Sequence, residues 1–100
     1  MVFGGIVTSP RGNLSLQQSL ELANVYLKNA SKAQDPDIAL VLCHDTEVSL
    51  SQVKKGVRHA DDPFLREGIA TAYIDLGRVL DSRGHHNEAQ ASYKKAEKLG

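Results

Sequence analysis

Two aspartate–proline pairs divide this chain into helical segments. Proline lacks a backbone N–H and clashes with the preceding turn, so Pro36 and Pro63 cannot lie inside an α-helix. Each is well suited to the first turn of one. Asp35 and Asp62 directly precede the two prolines, and aspartate is a preferred N-cap residue. The two pairs therefore predict that new helices begin at residues 36 and 63.

Apolar and small residues recur in steps of three and four along every segment, which places them on one face of a helix. Gly84 suits the turn that ends the third segment, and a fourth helix is expected from about His86 to Lys98. The expected inward-facing residues, segment by segment, are Leu16, Leu20, Ala23, Leu27 and Ala30; Ala39, Cys43, Thr46, Leu50, Val53, Val57 and Ala60; Leu65, Ile69, Ala72, Tyr73, Leu76 and Leu80; Ala89, Tyr93, Ala96 and Leu99.

The second segment permits two interpretations. Its three-and-four steps run without a slip from Ala39 to Ala60, which favours one long helix over residues 36–60. In the alternative, Asp45 caps a new helix and the segment breaks there. Gly56 weakens the helix by about 1 kcal/mol relative to alanine but need not end it.

The remaining patterns predict an all-α fold of stacked antiparallel helical hairpins, with about four helices. No run of alternating apolar and polar residues is bounded by turn residues, so no sheet is expected. Short connections make consecutive helices antiparallel. Residues 1–13 hold three glycines and a proline and are predicted to be a flexible N-terminal arm, with residues 14–100 as the helical domain. Alternatively, Phe3, Ile6 and Val7 dock on an exposed helix surface.

Composition narrows the class of protein. A chain of 100 residues suits one domain. Its 12 basic and 12 acidic residues give no net charge, which disfavours nucleic acid and anionic membrane surfaces as partners. Cys43 is the only cysteine, so no internal disulfide forms, and a reducing, cytoplasmic location is expected. No apolar run reaches the roughly 20 residues that span a bilayer, and residues 1–10 do not resemble a signal peptide.

The chemically reactive residues do not form a catalytic or metal-binding pattern. Cys43 lies on the inward face of its segment, and His44 beside it points about 100° away on a helix. The side chains of adjacent His85 and His86 diverge. His44 and His59 are too far apart for one helix face to bring them to a metal ion. The expectation is a protein that is not an enzyme and uses no metal or cofactor.

The last third of the chain carries a recognisable order of residues. An aromatic residue precedes Leu-Gly on the third segment, glycine occupies the turn, and small and aromatic residues follow on the fourth segment. The residues that form this order are Tyr73, Leu76, Gly77, Leu80, Gly84, Ala89, Tyr93 and Ala96. In order and spacing, residues 70–99 resemble one tetratricopeptide repeat. Residues 16–46 echo it more weakly, with a longer loop and a longer following helix than the family has.

The resemblance implies a protein–protein interaction module that binds an extended peptide or a helix of a partner protein. The family binds such ligands on the surface formed by the first helix of each hairpin. Asn24, Lys28 and Arg78 are the candidates to hold a peptide carboxylate or backbone. The partner-binding residues that the resemblance places on this surface are Gln17, Asn24, Lys28, Thr71, Ile74, Arg78 and Asp81.

The alternative function is that of a self-associating scaffold segment of a longer repeat protein, which makes a homo-oligomer possible. The long second helix would then pack against its copy. The fourth helix is a second candidate contact, because Ala91 and Ala96 are expected near its outer edges with no later helix to cover them. A third route is the exchange of a helix through the connection at residues 60–62.

Overall fold

In a computed structural model, the described residues 8–60 and 62–99 form four α-helices and no strand. The helices are α1 (Thr8–Lys32), α2 (Pro36–Ala60), α3 (Pro63–Ser82) and α4 (His86–Leu99). This confirms the predicted all-α fold. The side chains of residues 8–14 and 58–60 are not described.

Both aspartate–proline pairs begin helices as predicted. Asp62 Oδ1 accepts hydrogen bonds from the backbone N–H groups of Phe64 at 3.0 Å and Leu65 at 3.3 Å. Asp35 Oδ1 accepts a hydrogen bond from the N–H of Asp37 at 2.8 Å. In each case the carboxylate binds amide groups that have no partner inside the helix, while the proline occupies the first turn without losing a bond.

The second segment is one continuous helix, so the interpretation with a break at Asp45 is wrong. The Thr46 hydroxyl donates a hydrogen bond to the Leu42 carbonyl at 2.7 Å, one helical turn earlier. Gly56 also has a packing role that periodicity did not reveal. A Cβ atom at this position would overlap the Leu16 side chain of α1, so the absence of a side chain lets α1 and α2 approach closely.

The first helix begins earlier than the apolar periodicity indicated. It starts at Thr8, whereas the periodic positions begin at Leu14. Pro10 explains the difference, because proline is tolerated in the first helical turn, where its missing N–H costs no hydrogen bond. Residues 8–13 are thus helical, and the rest of the predicted arm, residues 1–7, lies outside the described residues. The suggested docking of Phe3, Ile6 and Val7 lies outside the described residues.

The four helices form two antiparallel hairpins that stack with α1 and α3 parallel. Leu16 lies against Gly56 between α1 and α2. The Ser92 hydroxyl donates to the Tyr73 carbonyl at 2.7 Å between α4 and α3. Leu20 of α1 lies against Gly68, near the start of α3. Helix α3 packs on all three other helices and is therefore the centre of the fold.

The core matches the predicted inward faces closely. Tyr73, Leu50, Ile69 and Leu76 are the largest fully buried apolar side chains, while Leu16, Leu20, Tyr93 and Leu99 pack at its margin and are partly exposed. Ser92 is also buried, and apolar periodicity could not predict this because its side chain is polar. The core cluster comprises Ala23, Leu27, Ala30, Cys43, Leu50, Val53, Val57, Leu65, Ile69, Ala72, Tyr73, Leu76, Leu80, Ala89 and Ala96.

Arg83 connects the two hairpins. It follows α3, and its guanidinium donates hydrogen bonds to the carbonyl oxygens of Ala30 at 2.8 Å and of Ala33. These carbonyls lie at the C-terminal end of α1, where backbone oxygens lack helical partners and the helix dipole favours a cation. Gly84 then adopts φ +88°, the left-handed conformation that glycine takes without strain, and turns the chain into α4.

Replacing Arg83 with methionine is expected to lower the free energy of unfolding by about 1–3 kcal/mol, because it removes charge-assisted hydrogen bonds and leaves carbonyl groups unpaired. The measurement is urea unfolding followed by circular dichroism. Arg78→Met is the matched control: the Arg78 side chain is 74% exposed, so a change within about 0.5 kcal/mol is expected. Equal stability losses in the two variants would contradict a structural role for Arg83.

Candidate functional site

A continuous groove runs between the parallel helices α1 and α3, and is called the α1–α3 groove below. It consists of two adjoining cavities of about 430 and 570 Å³, which share Asn24 and Asp75 in their linings. Its residues are Asn24, Leu27, Lys28 and Ser31 on α1, and Phe64, Glu67, Gly68, Thr71, Ala72, Asp75, Arg78 and Val79 on α3.

Small residues of α3 set the spacing of this groove. Gly68 faces α1 so closely that a Cβ atom there would lie 2.8 Å from Leu20 Cδ2. Ala72 is buried four residues later on the same side of α3. Because these positions carry little or no side chain, the two helices pack closely at the floor, while longer polar residues rise on both walls.

The structure brings together four of the residues that the sequence placed on a partner surface. Asn24 and Lys28 line the groove from α1, and Thr71 and Arg78 line it from α3. All four are exposed. Parallel packing of α1 and α3 explains the juxtaposition, since equivalent faces of the two helices then lie side by side.

Two other predicted residues lie outside the lining. Gln17 is exposed on α1 and precedes Asn24 by seven residues, so it shares that face but lies about two turns away. Ile74 is 38% exposed on α3. Neither side chain lines the groove.

Asp81, the seventh predicted residue, faces α4 and lies outside the lining of the groove, so its role on a partner surface stays a prediction. Its Oδ1 lies 2.8 Å from His86 Nδ1, and its Oδ2 accepts a hydrogen bond from the Tyr93 hydroxyl at 3.1 Å. The hydrogen bond from His86 and then that from Tyr93 lower the pKa of Asp81. Burial and the bond to Asp81 raise the pKa of Tyr93. The carboxylate therefore ties α3 to α4.

This arrangement predicts a pH effect in acid. The folded protein lowers the pKa of Asp81 from 3.8, so the stabilisation is complete above that value and is lost as pH falls through the lowered one. At about pH 5, where the Asp81 carboxylate is ionised, the melting temperature of the parent chain should exceed that of Asp81→Asn. The difference should shrink below about pH 4. Thermal melts between pH 2 and 7 test this, and a difference that grows in acid would contradict it.

Charge is distributed unequally along the α1–α3 groove. Lys28 and Arg78 lie in one cavity, beside Ser31, and Arg78 Nη1 is 3.8 Å from Asp75 Oδ1. Within the described residues, the Lys28 ammonium has no ion-pair partner. Glu67 and Phe64 lie in the other cavity. One end of the groove is thus cationic and the other is acidic and aromatic.

Phe64 is the most exposed large apolar residue of the described chain, at 85%. It occupies the first turn of α3, directly after Pro63, where the apolar periodicity of the helix gives it no inward position. Phe64 is not among the residues predicted to bind a partner. Its position directly after a capping pair, outside the inward face of the helix, could have indicated such a role, because burying an aromatic ring in a partner is favourable.

A second groove lies on the other side of α3, between α2 and α4, and is called the α2–α4 groove. It measures about 420 Å³. Helical periodicity could not reveal it, because three helices contribute to it and no single helix face contains it. Its lining consists of Leu40, Val41, Cys43, His44 and Glu47 of α2, Leu76 and Leu80 of α3, and Glu88 of α4.

Neither groove presents an activated nucleophile. Cys43 is 4% exposed, and burial raises the pKa of its thiol above the ordinary 9.0, so the thiol is protonated at neutral pH. Among the described residues, no group of three or more His, Cys, Asp or Glu side chains is placed to hold a metal ion. The lining residues of both grooves offer hydrogen bonding, charge pairing and burial of apolar surface.

Most of the exposed large apolar side chains lie on the first hairpin, two lie on α3, and none lies on α4, where the self-association hypothesis expected a contact. Ala96 is 6% exposed and belongs to the core, because α4 turns this position toward α3; its placement at an outer edge is wrong. Leu22, Ile38 and Val48 are between 44% and 54% exposed. The proposed helix exchange involves residue 61, which lies outside the described residues.

Comparison with known proteins gives no relative: no family model, no curated protein and no solved structure matches this chain. Within the residues that the structure describes, no helix has the length and apolar character needed to cross a membrane.

Proposed function

We propose that this chain is a non-catalytic protein-interaction module that binds an extended peptide segment of a partner protein in the α1–α3 groove. The observation that carries the proposal is the convergence of Asn24, Lys28, Thr71 and Arg78 on one open groove between parallel helices. The tetratricopeptide-like residue order of 70–99 supports it, since that family binds peptides on the corresponding helices.

The length of the groove defines the length of the peptide. Its lining on α3 extends from Phe64 to Val79, which is about 22 Å at 1.5 Å per helical residue. An extended chain advances about 3.3 Å per residue. A segment of about six or seven residues therefore spans the groove.

The distribution of charge defines the chemistry and direction of the peptide. A carboxylate at one end pairs with Lys28 and Arg78, which supply charge-assisted hydrogen bonds. An aromatic side chain at the other end covers Phe64, and a basic side chain there pairs with Glu67. Asn24, at the junction of the two cavities, offers its amide to the peptide backbone. The proposed ligand is acidic at one end and aromatic and basic at the other.

The test uses a synthetic, fluorescein-labelled heptapeptide with lysine and phenylalanine at its first two positions and two glutamates at its last two. Binding is followed by fluorescence anisotropy. Lys28→Glu and Arg78→Glu are each expected to weaken binding by at least about fivefold, since each replaces an attraction with a repulsion. The loss should diminish at high salt.

Two controls distinguish binding by the groove residues from a general effect of the protein's net charge on the affinity for the peptide. Lys32→Glu and Lys94→Glu change the net charge equally at exposed positions outside the lining, and should leave the affinity within about twofold. A heptapeptide of the same composition with its acidic and basic residues interleaved should bind more weakly. Equal affinity of the two peptides, or equal losses in all four variants, would reject the proposal.

A second candidate function is self-association through the outer side of the first hairpin. Leu22 is 47% exposed on α1, and Ile38 is 54% exposed on α2. By helical spacing, Leu22 lies on the side of α1 that faces away from Leu20 and its contact with α3. Apolar side chains left open to solvent on one side of a hairpin favour association with another apolar surface.

Sedimentation velocity over a dilution series tests this candidate. If the chain self-associates through the first hairpin, Leu22→Lys and Ile38→Lys shift it toward the monomer. Ala91→Lys, on the exposed side of α4, leaves the association unchanged. A concentration-independent monomer, or dissociation caused only by Ala91→Lys, would exclude the first hairpin as the contact.

A further inference from the structure

We propose that the α2–α4 groove is a second docking site, which takes an amphipathic helical peptide with leucine-like side chains flanked by arginine or lysine. The site is separate from the α1–α3 groove, because it lies between α2 and α4. Its lining shares no residue with that groove.

The groove exists because α2 and α4 do not pack on each other. Both pack on α3, which leaves a channel between them with α3 as its floor. Lys95 of α4 bridges to Glu47 of α2 with Nζ and Oε2 3.1 Å apart, so this ion pair links the two walls. Lys95 Nζ also lies 5.8 Å from the centre of the buried Tyr73 ring, so its position is defined by the core.

The apolar character of the groove points to an apolar side chain as occupant. Leu76 and Leu80 are 1% and 6% exposed and form the floor beside Cys43. Leu40 and Val41 are 40% and 59% exposed on the α2 wall. A groove of about 420 Å³ lies within the range of sites that take organic ligands or side chains, and filling it covers both wall residues.

The charged residues of the lining specify the flanking side chain. The lining contains two acidic residues, Glu47 and Glu88, and among the described residues no lysine or arginine lines the cavity. Lys95 bonds one oxygen of Glu47, Oε2. The Glu88 side chain is 58% exposed, with His85 Nδ1 3.7 Å from it. Glu88 and the second carboxylate oxygen of Glu47 are therefore the groups with which a cationic side chain beside the apolar one pairs.

A helical occupant fits the dimensions of this site. On α2 the lining residues Leu40, His44 and Glu47 follow helical spacing, so they form one wall along about two turns. A helix laid in such a groove presents its apolar residues every third and fourth position. Two leucine side chains one turn apart then reach Leu76 and Leu80, which are themselves one turn apart on α3.

The test measures binding of three synthetic amidated 12-residue peptides to the intact chain by fluorescence anisotropy. The first carries two leucines one turn apart and arginines on both flanks. The second replaces the arginines with glutamates, and the third replaces the leucines with serines. The first peptide should bind at least about tenfold more tightly than either of the others. Equal binding of the arginine and glutamate peptides, or no binding of the first at 1 mM peptide, would overturn the proposal.

Matched variants locate the binding. Leu40→Lys should lower the affinity for the first peptide at least about tenfold. Val48 has a similar exposure on the same helix (44%, against 40% for Leu40), and Val48→Lys should change that affinity less than about twofold. Glu88→Lys should increase the affinity for the second peptide, which carries glutamates, relative to the first. Glu97→Lys, on the same helix, should not. Equal effects in each pair would overturn the assignment. Circular dichroism checks folding, and all four positions are exposed.

Discussion

Truncating Tyr73 to alanine is expected to cost about 3–5 kcal/mol of unfolding free energy, the range for removal of a large buried aromatic ring. Tyr73 is 0% exposed and lies on α3, the helix that packs on the other three. A small domain has about 5–15 kcal/mol in total, so this variant should be largely unfolded at moderate temperature. Urea titration followed by circular dichroism provides the measurement.

Tyr73→Phe is the matched variant with the opposite expectation. The Tyr73 hydroxyl is buried and has no hydrogen-bond partner among the described residues. Removing a buried, unpaired polar group relieves a desolvation cost of about 1–3 kcal/mol, so the phenylalanine variant should be as stable as the parent or more stable. If Tyr73→Phe lowered the free energy of unfolding by more than about 1 kcal/mol, the Tyr73 hydroxyl would be hydrogen-bonded and not unpaired.

Replacing Gly77 with leucine should destabilise the second hairpin by about 3 kcal/mol, near the upper part of the range for overpacking. A Cβ atom at Gly77 would lie 2.8 Å from Cδ1 and Cζ of Tyr93. The Tyr93 ring cannot easily move away, because its hydroxyl is bonded to Asp81. Thermal melting and urea unfolding measure the effect.

Ala91→Leu controls for the added volume of leucine. Ala91 is exposed on α4, and leucine is nearly as good a helix former as alanine, so the change should lie within about 0.5 kcal/mol. Gly77→Ala should fall between the two leucine variants, because a single methyl already meets the ring. If Gly77→Leu and Ala91→Leu were equally stable, the close approach of α3 and α4 at Gly77 would be incorrect.

The helices and the core were predictable because they depend on local chemistry. The aspartate–proline pairs specify where α2 and α3 begin, and steps of three and four specify the buried face of each helix. The residues that fill these patterns are buried or lie at the core margin, apart from Ala60, whose side chain is not described. The start of α1 was missed, since residues 8–13 lack apolar periodicity and a helix can begin without it.

The residues that join helices could not be predicted from local patterns. Arg83 follows α3 in sequence yet bonds to carbonyl oxygens that lie 50 and 53 residues earlier. Asp81 has helical spacing compatible with the α1–α3 groove, but bonds to Tyr93 and His86 draw it toward α4. Which neighbour such a side chain meets depends on how helices stack, and stacking is set by distant contacts.

The candidate site was predictable only in part for the same reason. Asn24 and Lys28 shared a helix face in the sequence, but their proximity to Arg78 depends on the parallel packing of α1 and α3. Gly68, which permits that packing against Leu20, had no visible role in the sequence. The α2–α4 groove lies between three helices, so no single periodic pattern contained it.

The most direct test of the proposed function maps the binding of the charged heptapeptide onto the chain. Amide resonances of the ¹⁵N-labelled protein are followed by NMR during titration with that peptide. The account predicts saturable shifts concentrated along the α1–α3 groove, at Asn24, Lys28, Thr71, Asp75 and Arg78. It also predicts little change at Leu40 to Glu47, in the other groove. No shifts at 1 mM peptide, or shifts confined to the α2–α4 groove, would contradict the proposed function.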